Sequence, residues 1–202
     1  PDHYFPGSAP LLQRKLGLGR IPCLDIRQQC AGFVYALQVA DAMIRTGQHR
    51  HVLVVGAEVH TSLMPWTCWP VIFGHSDGPV PPEEYERNTL TRDRTVLFGD
   101  GAGAVVVSRS DDDGCGIVDT LIHTDGNEAG RLMTHAGGSA YRPYFSPEMT
   151  ASGDAVPVVE GREVFRLAVR LMPGELHALA IGSAARLHPE RVVLVRRDDV
   201  AA

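Results

Sequence analysis

Ile21-Pro22-Cys23-Leu24-Asp25-Ile26-Arg27-Gln28-Gln29-Cys30-Ala31-Gly32-Phe33 is the stretch on which the fold turns. The apolar run Ile21–Ile26 reads as a buried strand. After a polar break, Ala31–Thr46 reads as a helix with Phe33, Leu37, Ala40 and Ile44 on one face and Gly47 as its stop. His51–Val59 follows as a strand around Val52-Leu53-Val54-Val55, a continuous aliphatic run of the kind found in sheets covered on both faces. Strand, helix and strand in this order indicate an α/β domain.

Outward from this unit, Pro10–Leu16 reads as a short helix ended by Gly17. From His60 to Arg94 the pattern dissolves into Pro, Gly, Trp and charge, which predicts a long functional loop or lid. Gly103–Ser108 and Gly116–His123 read as strands separated by an acidic turn at Asp111-Asp112-Asp113-Gly114. Arg131–Pro157 reads as a second polar loop. Val159–Leu171 reads as a helix with Val164, Leu167, Ala168 and Leu171 inward, broken at Pro173-Gly174. Helix resumes over Glu175–Arg186, and Arg191–Val195 is a last strand.

The 202 residues suit one domain or one and a half, and 44% hydrophobic with 21% charged residues excludes a disordered chain. A net charge of −5 without a basic stripe argues against nucleic acid as a partner. No apolar run is long enough to cross a membrane, and Pro1–Pro6 has no signal-peptide pattern. Four separated cysteines without a C-x-x-C pair fit a reducing cytoplasm, where the chain is expected to reside. The sequence starts without Met inside what reads as a folded region, so a fragment is expected.

Cys30 is the first candidate for chemistry. Between a strand and a helix N-terminus, the positive end of the helix dipole favours a thiolate. The strand–turn–helix setting lifts a nucleophile out of the sheet as a nucleophile elbow does, but Gln28-Gln29-Cys30-Ala31-Gly32 is not that motif, because the Gly before the nucleophile is missing. On spacing alone, a buried inert cysteine is the commoner fate. Phe98-Gly99-Asp100-Gly101-Ala102-Gly103-Ala104 has the wrong glycine spacing for a dinucleotide loop and runs into a strand; small residues permitting close backbone approach in a tight core are the plainer reading. His49, His51, His60 and His75 lack accompanying ligands, so no metal is expected. Glu83-Glu84-x-Glu86 reads as a solvated face, and His123 and His135 are candidate bases for a thiol.

Further blocks complete a pattern. They are Tyr4-Phe5-Pro6, the run Leu24–Phe33, Tyr35-Ala36-Leu37, Ala40-Asp41, Ile44–Gly47 and Val52–Glu58. Leu97–Ala104, His123-Thr124-Asp125-Gly126 and Gly161–Phe165 follow. In order and spacing these resemble the β-ketoacyl-acyl-carrier-protein synthase III family of the thiolase superfamily, over about Tyr4 to Val169. The resemblance implies an α/β, thiolase-like layered α-β-α-β-α fold, incomplete here. Residues 1–110 would form the first half without its opening βα segment, and 111–202 the truncated start of the second.

It also implies an acyltransferase. Cys30 would take an acyl group from acyl-coenzyme A, and malonyl-acyl carrier protein would condense with that thioester by decarboxylative Claisen chemistry. Phe98 would line the acyl pocket, and Arg94 or Arg92 would lie near the coenzyme A adenine. Phe5 would reach into the partner's site of a homodimer. The thioesters are substrates; no cofactor is implied. The departures are the missing opening segment, the longer His60–Arg94 loop, and a tail, Arg196–Ala202, where the family's His and Asn segment would stand. With the break at Met172-Pro173-Gly174, the tail suggests a truncated gene or a shifted frame. The alternative to an active acyltransferase is therefore a catalytically silent remnant or interaction subunit without the His/Asn pair. A third reading is a thioester hydrolase using His123 as base. Missing strands would leave exposed apolar faces and an oligomeric or poorly soluble product.

Overall fold

The computed structural model describes residues 3–64, 66–111, 116–185 and 192–195. In chain order the elements are α1 (Ser8–Lys15), α2 (Gly32–Arg45), β1 (His51–Glu58), α3 (Trp69–Ile72), α4 (Pro82–Leu90) and α5 (Arg92–Thr95). They continue with β2 (Gly101–Arg109), β3 (Leu132–Met133), α6 (Pro147–Ala151), β4 (Val158–Val159), α7 (Gly161–Ala185) and β5 (Val192–Val195). The chain divides into two units. Unit 1 comprises residues 1–58, 101–123 and 173–202; unit 2 comprises 59–100 and 124–172.

Unit 1 is built on an antiparallel sheet of order β1-β2-β5. The register pairs Val52 with Val107, Val54 with Val105 and Gly56 with Gly103, so these six residues share one face. Helix α2 lies on that face. Its Ala40 and Ile44 are buried with Val54 and Val107, and Phe33, Ala36, Leu37, Val52, Val105 and Ile117 pack around them. The helical face read from the sequence is thus the face that makes the core. The opposite sheet face is open: Leu53 is 42% and Val55 38% exposed, so among the described residues β1 is covered on one side, not two.

The close approach of α2 depends on Gly56. A Cβ there would sit 3.1 Å from Phe33 Cδ2. At Gly99, Gly101 and Gly103 a Cβ would meet nothing within 4 Å, so the glycine-rich run is not the tight spot its sequence suggested. We expect Gly56→Val to lower the stability of unit 1 by about 1–3 kcal/mol through overpacking, read as a lower urea midpoint. Adding Phe33→Leu to the same chain should recover part of the loss, and full additivity of the two changes would refute the contact.

Three expected elements take other forms. Ile21–Ile26 is irregular and pairs with no described strand; Ile21 is 49% and Leu24 57% exposed. An apolar run alone does not make a strand when no ladder receives its backbone. Gly116–His123 is also not a strand. Its carbonyls are taken by α2 side chains instead: Arg45 Nη2 donates to Ile117 O (2.9 Å), Gln38 Nε2 to Thr120 O (3.4 Å) and Tyr35 Oη to His123 O (3.3 Å). Arg45 is held for this by its ion pair with Asp41, one turn earlier. Finally, α7 runs unbroken through Pro173, which is exposed and flanked by helix on both sides. Of its expected inward residues, Val164, Leu167 and Ala168 are half-buried while Leu171 is exposed.

In unit 2 the expected loop from His60 to Arg94 carries α3, α4, most of α5 and a 3-10 turn at Thr61–Leu63. β3 and β4 pair antiparallel, with Leu132 opposite Val159. Arg131 ties the two together through Glu128 and Glu160, and these carboxylates push its guanidinium further toward the charged form. Among the described residues, Met64 and Val156 are the buried apolar residues of this unit. Most of the acidic turn after Asp111, and the tail 196–202, lie outside the described residues.

Candidate functional site

Cys30 sits in a single 3-10 turn, Gln29–Ala31, that runs directly into α2. The thiol is exposed at the N-terminal end of a 14-residue helix. Gln28 has φ −142°, and Gln29 then turns to φ +41°. Gln29 is the non-glycine residue with positive φ among those described. A side chain in this region costs about 1–2 kcal/mol, and such strain gathers where a fold must aim a reactive group. A sharp turn therefore leads into α2 at Cys30, but no described strand precedes it, so the strand-to-helix elbow expected from the sequence is not formed. Asp25 secures the approach to the turn: its Oδ1 accepts from Ala9 N at 3.0 Å at the start of α1. Gly7 leaves room for that carboxylate, since a Cβ there would lie 2.3 Å from Asp25 Oδ2.

The other sequence candidates in unit 1 are placed as follows. Phe5 is 92% exposed. His123 Nδ1 lies 3.0 Å from Glu175 Oε1, and among the described residues no hydrogen bond joins it to Cys30.

Phe98 and Arg94 belong to unit 2 and are brought together: Phe98 N donates to Arg94 O at 3.0 Å. Arg94 Nε is buried with no hydrogen-bond partner among the described residues, whereas Arg92 lines an open depression of about 400 Å³ with Thr89, Leu90, Asp93 and Val96. The half-buried Phe98 ring is stacked on His60, with centroids 5.2 Å apart and planes inclined by 18°. His60 Nδ1 lies 3.2 Å from Gly99 O. Asp100 completes the cluster by accepting from His60 N (2.8 Å), Thr61 N (2.9 Å) and Thr61 Oγ1 (2.7 Å). The backbone N–H and then the hydroxyl of Thr61 hold the Asp100 carboxyl below its ordinary range. His60 entered the sequence reading only as a metal candidate. Its contacts lie about forty residues away and leave no local signal.

Glu84 was missed altogether. Read as one of three solvated carboxylates, it is 2% exposed while Glu83 and Glu86 are exposed. Oε1 accepts from Thr67 N (2.8 Å) and Cys68 N (3.0 Å), and Oε2 accepts from the Thr67 hydroxyl. Burial raises its carboxyl, but the hydrogen bonds from Cys68 and Thr67 outweigh that and bring it from 4.5 down to about 2. The same contact, led by the hydrogen bond to Glu84, pushes the Cys68 thiol up. Edge-to-face Trp66 and Trp69, with Phe73 stacked on Trp69, flank this latch. Among the described residues no group of His, Cys, Asp and Glu side chains converges to hold a metal, and no helix is long and apolar enough to cross a membrane.

Known proteins are similar to this chain in sequence and in fold. The sequence model of the 3-oxoacyl-[acyl-carrier-protein] synthase III family matches residues 24–79 and 84–126, which include the Cys30 turn, His60, Phe98 and Asp100. The β-ketoacyl-[acyl-carrier-protein] synthase III of Rickettsia bellii is 36% identical over 179 residues, covering 89% of this chain and 46% of the relative. That of Ehrlichia canis is 41% identical over 141 residues, covering 70% of this chain and 37% of the relative. The chain thus spans about half the length of the curated relatives it matches. Among solved structures, the 3-oxoacyl-[acyl-carrier-protein] synthase III of Aquifex aeolicus superposes with a TM-score of 0.66 at 30% identity, over 91% of this chain and 46% of that one. The enzyme from Thermus thermophilus gives a TM-score of 0.60 at 31% identity, over 85% and 44%. The α/β fold is thiolase-like, as in these enzymes. Matched by the family model, by these relatives and by these structures, this chain belongs to the 3-oxoacyl-[acyl-carrier-protein] synthase III family.

Proposed function

We propose that Cys30 is the nucleophile of an acyltransferase that takes its acyl group from acyl-coenzyme A. The observation that carries the reading is the exposed Cys30 thiol at the start of α2, presented by a turn strained at Gln29. The thiolate attacks the thioester carbonyl and a carbon–sulfur bond forms. The bond to the coenzyme sulfur then breaks, and coenzyme A leaves as its thiolate, which takes a proton from water. A backbone amide at Cys30 stabilises the oxyanion between these events. Condensation of that thioester with malonyl-acyl carrier protein, releasing CO₂, follows. No cofactor takes part. Phe98 contacts the acyl chain, Arg94 or Arg92 meets the adenine, and Phe5 reaches into a second copy of a cytoplasmic homodimer. Residues 1–110 correspond to the first thiolase-like half and 111–202 to the start of the second.

The test is intact mass with peptide mapping after exposure to a panel of acyl-coenzyme A thioesters. An adduct confined to the peptide carrying Cys30 is expected, with Cys23 and Cys68 unmodified. Folded protein that takes up no acyl group from any thioester would overturn this reading in favour of a silent remnant. Steady release of free acid without malonyl-acyl carrier protein would favour a hydrolase.

A further inference from the structure

The chain reaches Cys30 without a ladder to hold it. Ile21–Ile26 pairs with no described strand. Yet the turn that follows keeps Gln29 at φ +41°, and a strained residue persists only where its surroundings fix it. One tie comes from Asp25, whose Oδ1 accepts from Ala9 N, in the first turn of α1, at 3.0 Å. α1 brings no cap of its own: Gly7 stands at its N-cap without a side chain, and its first turn holds no acid. Nothing in the backbone asks for glycine there, since φ −68° and ψ 180° suit any residue. What excludes a side chain is the Asp25 carboxylate, which a Cβ on Gly7 would overlap. One residue further on, the chain runs alongside α2: a Cβ on Gly32, the first residue of that helix, would lie 3.9 Å from Ile26 O. Ala31 N then closes the turn on Gln28 O at 3.1 Å. Asp25 thus pins the approach between α1 and the start of α2.

We propose that Asp25 is a positioning residue for Cys30: by tying the approach segment to the N-terminus of α1, it fixes the direction in which the turn presents the thiol. This rests on the reading of Cys30 as nucleophile given above. The carboxylate acts through the turn, not on the thioester. Attack on a thioester carbonyl needs the sulfur aligned with that carbon, and a misplacement of about 1 Å can cost about 100-fold in rate. Alkylation by a small, freely diffusing reagent such as iodoacetamide asks for no such alignment. The tie needs an acceptor rather than a charge, so Asn serves it and Ala does not.

The experiment follows acylation of Cys30 by intact mass against thioester concentration, using whichever acyl-coenzyme A of the panel above labels the wild type fastest. Asp25→Ala should lower the limiting rate at least about tenfold, with the half-saturating concentration and the iodoacetamide rate at Cys30 within about twofold of wild type. Asp25→Asn should restore the limiting rate to within about threefold. Gly7→Ala keeps the carboxylate but drives it off Ala9 N, so it should match Asp25→Ala, and the double variant should be no worse than either single one. Equal limiting rates in wild type and Asp25→Ala, a parallel loss of acylation and alkylation, or no rescue by Asn would overturn the proposal and leave Cys30 standing as the nucleophile. A wild type that takes up no acyl group from any thioester would sink the nucleophile and, with it, any role in positioning one. Hydrogen exchange then decides the tie itself: the amides of Gln28–Gly32 should exchange at least about threefold faster in Asp25→Ala, and unchanged exchange would overturn the tie as well.

Discussion

Cys30→Ala should abolish acyl uptake from every thioester, a loss on the order of 10⁴-fold or more, with the unfolding transition nearly unmoved. The side chain is exposed, and surface changes of this kind alter stability by about 0.5 kcal/mol or less. Cys23→Ala and Cys68→Ala serve as controls and should retain uptake. The neighbouring Gln29 gives a graded companion. Gln29→Gly relieves a backbone at φ +41° and should keep the thiol reactive, whereas Gln29→Val should slow acylation by forcing a β-branched side chain into that region. Rates measured by stopped-flow quench and mass spectrometry decide the matter. An adduct that survives in Cys30→Ala would remove the nucleophile from this site.

The second large effect is expected at Glu84. Glu84→Gln removes the charge: the amide oxygen can keep Thr67 N and Cys68 N, but the NH₂ then faces the Thr67 hydroxyl, which must turn from donor to acceptor, and every bond of the latch loses its charge assistance. Hydrogen bonds to a buried charge are worth about 1.5–3 kcal/mol each, and a loss of about 3 kcal/mol is expected for the latch. Trp66 and Trp69 flank it, so their fluorescence reports its opening in urea. The carboxyl lies near 2 in the folded protein, below its ordinary 4.5. The latch is thus fully effective above about 4.5 and weakens as pH falls toward 2. The wild type should show that acid transition and Glu84→Gln should lack it. The variant's Cys68 should also alkylate faster at a fixed pH, because the hydrogen bond to Glu84 that holds its thiol up is weakened. Identical urea and pH profiles for the two proteins would show that the latch contributes nothing.

The parts of the fold legible in the sequence are those whose signal is local. α2, β1 and β2 each carry a periodic or continuous apolar pattern that survives into the core of Ala40, Ile44, Val54 and Val107. The segment around Ile21–Ile26 has an equally apolar run but pairs with no described strand. Prolines misled most. Pro70, Pro82 and Pro147, read as marks of irregular chain, each occupy the first turn of a helix, where a missing N–H costs nothing. Pro173 shows the reverse case, a proline inside a helix that continues past it. Among the candidate side chains, the position of Cys30 before a helix could be read. Glu84 and His60 could not, because one differs from its exposed neighbours only by burial, and the other acquires its partners from across a long excursion of the chain.

That excursion also sets a clock. β1 and β2 are hydrogen-bonded neighbours, yet residues 59–100, a whole portion of unit 2, are translated between them. At the ~5–20 residues/s of synthesis, β1 leaves the ribosome about two to eight seconds before its partner exists. Through that interval Val52–Val55 is a bare aliphatic ribbon resting on α2 alone, and it is the segment a nascent chain of this protein would most need a chaperone to shield.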